Sequence, residues 1–557
     1  MRMRNAHYTL ASSVLALATL APLASAQARR HAPAPVLAPP PPPPPPPPTI
    51  PAAPPEPVPA MPVGEPLSLA DAVATALRLH PSIRTARAEL AARRADIGTA
   101  RGPFDPLFDA SLSHTHDATP LAPASRIVPN QSATLTDTTS LNVGGSAQTT
   151  WGMSIAPNIG LQRVYQRPDV SLAGTGLAAQ DPFQQASVGL SVVQHLLRGA
   201  GWVGAASAID RASGAARAAE HTVNFAAQEQ AFQTASAYFQ LVAAGEQVAL
   251  LRDSETDARR LVEETRVLVE SDQRPRADLH QLEGNLANRS RGVLEAETDR
   301  SQALYTLRTA MGLGAEGNPE WHPTNGLPPA AAPPANDDEL VRVARQRRED
   351  VSAARELVGA TSADVRGAEW NTKLNLDVNG SVGYTGLLAK DGVGPFFADA
   401  GRNVPGVNAG VGVSMELPFN NTARLADRDL KRALLDEARI AAADIERRVP
   451  IDTLSALAEL RLSRAALDAS TNAVDNLALA LGDEQDRMHS GVGTVIDMVL
   501  TEDRLIQARL ARTSNHLRYS IALCRLAFAT GGIPSDPSRA SLSLQALSSP
   551  EVPHAGK

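Results

Sequence analysis

The length, composition and charge of the chain limit the classes of protein to which it can belong. Its 557 residues allow one large domain or several, and a formal net charge of −7 gives no reason to expect nucleic-acid binding. The single cysteine, Cys524, excludes a disulfide within one chain, and its place in LRYSIALCRLAFATGG predicts a buried core residue. Frequent alanine, leucine and arginine predict extensive helix.

The N-terminus has the parts of an export signal. Residues 1–26 combine the basic MRMR, the apolar TLASSVLALATLAPLA and the small-residue pattern Ala24-Ser25-Ala26, so we expect a signal peptide. Residues 27–64 are proline-rich, which predicts an extended periplasmic linker, with a disordered leader as the alternative. No later segment has 18 consecutive apolar residues, so the sequence predicts no transmembrane helix.

The rest of the chain carries one pattern twice. Residues 278–312 align without gaps with 497–531, so that Asp278 corresponds to Asp497. Residues 72–87 likewise align with 340–355. We therefore predict two repeats with the order helix, strand region, long helix, tip and long helix. The predicted segments are a first repeat at 65–318, a Pro/Ala-rich linker at 319–336, a second repeat at 337–533 and a flexible tail at 534–557.

The predicted helices are long. The helical pattern at 205–270 contains no proline and would extend roughly 100 Å. A second stretch, from Pro450 to Pro534, is divided by a glycine-containing tip at 490–493. Apolar residues and alanines recur every three or four positions, which predicts a coiled-coil-like seam.

Four regions alternate apolar with polar or small residues, at 105–114, 185–196, 374–384 and 407–419. This alternation suits strands with one lipid-facing and one water-facing side. Since single-chain barrels begin at eight strands and open edges are forbidden in lipid, several chains would have to share one sheet. An additional hairpin at 138–164 could be two further strands or an extracellular projection, and we favour the projection.

Aromatic residues gather near the predicted strands. Phe104, Trp202 and Phe419 stand near strand–helix junctions, where membrane-interface aromatics would lie. The alternative is aromatic packing in a soluble sheet.

Three stretches resemble the TolC-like outer-membrane efflux family: LSLADAVATALRLHPSIRTARAEL (67–90), SVVQHLLRGAG (191–201) and RMHSGVGTVIDMVLTEDRLIQARL (487–510). The resemblance implies a mainly α protein with membrane β structure, in the bacterial outer membrane. It implies a homotrimer in which each protomer gives four strands to a shared 12-stranded β-barrel above a periplasmic α-helical coiled-coil tunnel. Such proteins are passive ducts for efflux or type I secretion. Their partners are a periplasmic adaptor and an inner-membrane pump, either proton-driven or of the ABC type.

The resemblance also implies two sets of site residues. Asp497 matches an acid that rings the periplasmic gate, and Asp278 is its counterpart in the first repeat. Three copies of Asp497 would favour cations, but Leu500 stands where the family has a second acid. An ordinary polar role on a tip helix is the alternative for both acids. The expected adaptor-contacting residues are Arg487, Ser490, Gly491 and Val492 in the second tip, and Asp272 and Gln273 in the first tip, which lacks the glycine.

Other functional classes find less support. His114-Thr115-His116-Asp117 suggests a weak metal site, although a polar strand end is the simpler interpretation. No nucleophile elbow, P-loop, dinucleotide fingerprint or zinc-protease motif occurs, so we predict neither an enzyme nor a cofactor. An exported helical scaffold or adhesin without channel activity is the competing hypothesis.

Overall fold

The computed structural model describes residues 66–126, 130–170, 183–314, 321–388, 406–490 and 492–536. The predicted signal peptide, the proline-rich linker and most of the predicted tail lie outside these ranges.

Helices form most of the described structure. Their bounds are α1 (Leu69–Leu79), α2 (Pro81–Arg101), α3 (Gly201–Glu270), α4 (Arg276–Ala310), α5 (Asp337–Arg347), α6 (Glu349–Asn371), α7 (Thr422–His489) and α8 (Val495–Ala529). Helix α3 has 70 residues, or about 105 Å, which confirms the long helix predicted from the proline-free pattern. Within the described ranges, no helix combines the length with the apolar character that crossing a membrane requires.

Helices α4 and α8 end in the same way. Gly312 and Gly531, which align in the two halves of the sequence, both have positive φ, at 74° and 69°. The amide of the residue after each glycine donates to a carbonyl five residues earlier, that of Arg308 or Ala527. This is the Schellman ending, which glycine adopts without steric strain.

Helix α7 runs through Pro450, the residue at which the second proline-free stretch of the sequence begins. Proline cannot donate to the carbonyl four residues earlier, so the helix loses one hydrogen bond at this point. Tertiary contacts hold the segment nevertheless. Val449 is fully buried in a cluster with Ala344 and Val351, and Arg348 pairs with Asp452 at 3.0 Å.

Six long strands form one antiparallel sheet in the order β2-β3-β4-β5-β7-β8. Their bounds are β2 (Leu107–Pro120), β3 (Ala133–Gln148), β4 (Met153–Pro168), β5 (Phe183–His195), β7 (Asn375–Leu388) and β8 (Val407–Glu416). Two short strands, β1 (Pro66–Leu67) and β6 (His322–Pro323), pair in parallel elsewhere. The four predicted strand regions are therefore confirmed as strands. We call the end of the sheet where β2, β5, β7 and β8 join helices the helix end, and the opposite end the far end.

The preference for an extracellular projection at 138–164 is wrong. Strands β3 and β4 lie inside the sheet, between β2 and β5, so the described chain contributes six strands and not four. Their turn lies at the helix end, where the Gly152 carbonyl accepts from the His195 amide at 3.0 Å. Gly152 has φ 89°, and an added Cβ would lie 2.2 Å from the Gly199 carbonyl oxygen. This close backbone contact, which only glycine permits, fixes the turn against the start of α3.

The two faces of the sheet differ in chemistry. Residues in one cross-strand row share a face, and adjacent rows lie on opposite faces. One row is wholly apolar: Ala110, Val143, Ile159, Val188, Tyr384 and Val407. The adjacent row is polar or small: Ser111, Asn142, Gly160, Ser187 and Thr385. We call the side carrying the first row the apolar face.

The segment at 321–336 is bound to a helix that precedes it and to one that follows it. Tyr238 of α3 donates to the Leu67 carbonyl at 3.0 Å and accepts from the Asn325 amide at 3.1 Å. Tyr519 of α8 accepts from the Ala331 amide at 2.9 Å. The core around Tyr238 also contains Cys524, which is 1% exposed, so the prediction of a buried cysteine is confirmed.

Candidate functional site

The tips of the two long helical hairpins, α3–α4 and α7–α8, pack against each other. Val262 of α3, Leu282 of α4 and Val495 of α8 form a buried cluster. Met488 at the end of α7 packs against it. The structure thus brings the two predicted tips together through apolar contacts, and polar groups surround them.

Asp497 has a local role in the second tip. Its amide donates to the Thr494 hydroxyl at 3.2 Å, and that hydroxyl donates to the Asp497 carboxylate at 2.7 Å. This reciprocal arrangement caps the start of α8, and a negative charge in the first turn also suits the helix dipole. Asp497 is exposed, so its carboxylate is accessible at the tip.

Asp278 occupies the equivalent place in the first turn of α4. Its carboxylate lies 3.8 Å from the Arg274 guanidinium. Asp278 lines a cleft of about 1110 Å³ between α4 and α8, together with Asp503, whereas Asp497 is not among the lining residues. The two predicted gate acids therefore share a helix position but not this cleft.

The second tip presents the residues expected to contact an adaptor. Arg487 pairs with Glu484 at 2.9 Å, and the Ser490 hydroxyl donates to the Asp486 carbonyl at 2.8 Å. Val492 is 72% exposed, so its side chain is accessible at the tip. Gly491 lies outside the described residues.

The first tip makes its turn without glycine. Asp272 has φ 54°, in the left-handed region that aspartate tolerates better than most residues. The Gln273 amide donates to the Leu268 carbonyl at 2.9 Å and closes the turn. The missing glycine noted in the sequence is thus replaced by an aspartate in the strained position.

Arg289 of α4 is a candidate residue that the sequence reasoning missed. Its side chain is 7% exposed and lies 2.9 Å from the Asp503 carboxylate and 3.4 Å from that of Glu502, both on α8. It also donates to Ser254 of α3. Arg289 therefore joins the two hairpins just above their tips. Burial raises the pKa of Glu502 above its ordinary value, and the Arg289 charge opposes that shift.

The sequence around Arg289 contains a pattern that indicates a buried position for this residue. Leu282, Leu286, Val293 and Ala296 follow heptad spacing, and Arg289 occupies the apolar seam position between them. A charge in such a seam indicates a buried partner, because an unpaired buried charge is strongly unfavourable.

The three predicted interface aromatics lie at the helix end of the sheet. Phe104 is in the turn between α2 and β2, Trp202 is the second residue of α3, and Phe419 is fully exposed between β8 and α7. Trp151, in the β3–β4 turn, is 62% exposed at the same end and was not singled out from the sequence.

The histidines of the suggested metal motif pair across strands. The His116 ring nitrogen lies 2.5 Å from the Asp137 carboxylate, and that of His114 lies 2.9 Å from the Thr139 hydroxyl. In the part of the chain that the structure describes, no cluster of three or more His, Cys, Asp or Glu side chains is placed to hold a metal ion.

Comparisons with known proteins agree with this architecture. Residues 72–313 match the family model described as outer membrane efflux protein. A search of curated proteins found no match. The chain is similar to a membrane protein from Pseudomonas aeruginosa, with 18% identity and a TM-score of 0.59 over 83% of this chain and 92% of that one.

Two further solved structures are also similar. The CmeC outer membrane channel of Campylobacter jejuni has 14% identity and a TM-score of 0.56 over 86% of this chain and 89% of its own. The open state of the MtrE outer membrane channel of Neisseria gonorrhoeae has 19% identity and a TM-score of 0.57 over 84% and 90%. At these identities the likeness shows the fold. With the match of residues 72–313 to the outer membrane efflux protein model, it confirms the resemblance to TolC-like efflux proteins found in the sequence and the expected location in the outer membrane, with the helical part in the periplasm.

Proposed function

We propose that the chain is the exit duct of a tripartite efflux or type I secretion system, which passively conducts substrates from the periplasm or a pump to the exterior. One observation carries the proposal: a sheet with an apolar and a polar face continues directly into helices of up to 70 residues. Such a sheet suits lipid on one side and water on the other, and such helices reach far from the membrane.

The open edges of the sheet support a homotrimer. All five strand pairings are antiparallel, so β2 and β8 run in opposite directions. A β2 edge can therefore pair with the β8 edge of another copy and continue the antiparallel pattern. Unpaired edges are not tolerated in lipid, so closure of the sheet is required. Six strands from each of three copies give eighteen, an even number that leaves room for an aqueous channel.

The helix tips would form the periplasmic entrance. We place Asp497 and Asp278 there, with three exposed copies of Asp497 giving a negative ring that favours cations. Arg289 would hold the entrance closed by joining the α3–α4 and α7–α8 hairpins. Opening would then require the Arg289 contacts with Glu502 and Asp503 to separate.

The exposed tip residues would contact a periplasmic adaptor protein, which in turn engages a proton-driven or ABC-type inner-membrane pump. Val492 offers an apolar contact, and Arg487 and Ser490 flank it with polar groups. Asp272 and Gln273 would provide the weaker contact from the first tip. Phe104, Trp202 and Phe419 would anchor the helix end of the sheet at the membrane interface.

A scaffold or adhesin without channel activity remains the competing function. It accounts for the long helices but gives no reason for the apolar face, on which Val411 is 86% exposed.

Single-channel recording in a planar bilayer tests the proposed function. We expect the purified protein to insert and conduct with cation selectivity. If folded wild-type protein and a folded Arg289 variant both fail to insert, the result would favour the scaffold.

A disulfide test addresses the strand count. Ile159 of β4 and Val188 of β5 are cross-strand partners on the apolar face, so Ile159→Cys with Val188→Cys, in a Cys524→Ser background, should oxidise within one chain. If this disulfide fails to form, β4 does not lie beside β5 in the sheet. The proposed closure of eighteen strands would then be wrong.

A further inference from the structure

The strands of the sheet end at staggered positions. One cross-strand row consists of Asp109, Gly144, Asn158, Gly189, Gly383 and Asn408. From this row towards the helix end, β2 continues for two residues to Leu107, β5 for six to His195, and β8 for eight to Glu416. Between the two outer strands of the described sheet, β2 and β8, the helix end therefore shifts by six residues.

A closed barrel requires such a stagger, because its strands tilt by about 35–45° from the barrel axis. The tangent of the tilt equals the stagger, at about 3.4 Å per residue, divided by the distance across the strands, at about 4.8 Å per strand. For six strands per copy, a stagger of six residues gives a tilt of about 35°, one of eight about 43° and one of four about 25°. Odd staggers would join the apolar face of one copy to the polar face of the next. A stagger of six or eight residues per copy therefore remains.

The junctions with the helices favour six residues. Arg101 ends α2 shortly before β2, and Thr422 begins α7 shortly after β8, so both outer strands end where the chain becomes helical. A stagger of six sets Glu416, the last residue of β8, beside Leu107, the first residue of β2 in the next copy. All 10 residues of β8 then have partners within the 14 residues of β2. A stagger in the opposite sense would place β8 beside α2, whose backbone groups are already bonded within the helix.

The side chains of the apolar face agree with this register. With a stagger of six, Met415 lies opposite Phe108 of the next copy, and Val411 lies opposite Leu112. These four side chains are 67–86% exposed in the single chain, so each of them is free to pair. With a stagger of eight, Val411 would face His114 instead. Apolar pairs directly opposite each other stabilise a sheet, so the side chains also favour six.

We propose that β8 of one copy pairs with β2 of a second copy in the register that sets Glu416 beside Leu107. On the polar face, the same register sets the Ser414 hydroxyl opposite the Asp109 carboxylate, to which it can donate a hydrogen bond. This register rests on the proposed function, the homotrimeric duct, and adds to it the residues that join the copies. Closure after three copies leaves no free strand edge in the lipid.

Disulfide formation between copies tests the register. Two in-register pairs are made in a Cys524→Ser background: Val411→Cys with Leu112→Cys on the apolar face, and Ser414→Cys with Asp109→Cys on the polar face. Pairs on opposite faces are of opposite hydrogen-bonding type, so one of the two has the closer spacing that suits a disulfide. The full-length oligomer is oxidised with copper phenanthroline, and a non-reducing denaturing gel measures the rate at which linked copies appear.

The matched controls move one cysteine by two residues. Val411→Cys is combined with His114→Cys, which represents a stagger of eight, or with Ala110→Cys, which represents a stagger of four. In the proposed register these control pairs are about 7–8 Å apart, whereas direct partners are about 4.5–5.5 Å apart. We therefore expect at least one in-register pair to link copies about tenfold faster than either control. Faster linking by a control pair would overturn the proposal.

The disulfide between Ile159→Cys and Val188→Cys within one chain shows in the same experiment that the sheet is formed. If it forms while neither in-register pair links copies, the proposal is wrong. If it does not form, the six-strand sheet is wrong and the proposed register falls with it. Conductance of the reduced variants separates this result from the proposed function, because a channel that conducts but links in another register retains the duct and refutes only the register.

Discussion

If the proposed periplasmic entrance is held closed by Arg289, replacing this residue by methionine should open it. Methionine replaces the apolar stem of the arginine side chain but lacks the guanidinium, so the contacts with Asp503 at 2.9 Å and Glu502 at 3.4 Å are lost. A buried hydrogen bond to a charged group contributes about 1.5–3 kcal/mol. The Asp503 side chain is half exposed, so its ion pair with Arg289 contributes about 0–1 kcal/mol, as ion pairs on a protein surface do.

Together these two contacts give a loss of roughly 1.5–4 kcal/mol per copy, most of it from the better shielded contact with Glu502. That corresponds to roughly a 10- to 900-fold shift from the closed towards the open entrance. The methionine fills the seam position with an apolar group, so the helices should stay folded.

The measurement is single-channel conductance in a planar bilayer, with circular dichroism to confirm the fold. The matched control is Arg291→Met, two residues away, because Arg291 is 66% exposed and pairs with Glu295 on the same helix. A folded Arg289→Met channel that conducts like the wild type would refute the reasoning. So would an Arg291→Met channel that opens equally.

Four further predictions concern other parts of the chain. Asp497→Asn should reduce cation selectivity and keep the helix cap, whereas Asp497→Ala should also lower the thermal midpoint; unchanged selectivity in both would remove the acidic ring. Burial raises the pKa of Glu502, so the folded chain retains this proton at pH values where the unfolded chain has lost it. Its contribution to stability should therefore grow as the pH falls through the window just above 4.5, and Glu502→Gln should flatten that part of a thermal-midpoint profile. Burial also raises the pKa of Cys524 to about 12, so a thiol reagent at pH 8 should label it only after unfolding in guanidinium, and rapid native labelling would contradict the buried position. Gly152→Ala should destabilise the sheet by more than about 1–3 kcal/mol, because φ is 89° and the new Cβ meets a backbone oxygen, whereas Gly380→Ala, which meets nothing within 4 Å, should leave the thermal midpoint unchanged; equal midpoints for the two variants would contradict the role of Gly152.

The sequence by itself determined the local elements of this protein. A proline-free stretch with apolar residues every three or four positions can satisfy its backbone hydrogen bonds locally, so α3 was predictable along nearly its whole length. Alternation at period two likewise located strands β2, β5, β7 and β8. The family resemblance followed from the order of these elements and predicted functional residues at the tips.

Only the tertiary structure decided where distant segments meet. The alternation at 138–164 was visible, but membership of the sheet is set by the pairing of β3 with β2 and of β4 with β5, which no local pattern encodes. The sequence shows Arg289 as a charged residue in an apolar seam, but its partners lie 213 and 214 residues further along the chain. Local periodicity specifies which face a residue presents, whereas its partner is set by the packing of whole elements, because long-range contacts form between surfaces and not between neighbours in sequence.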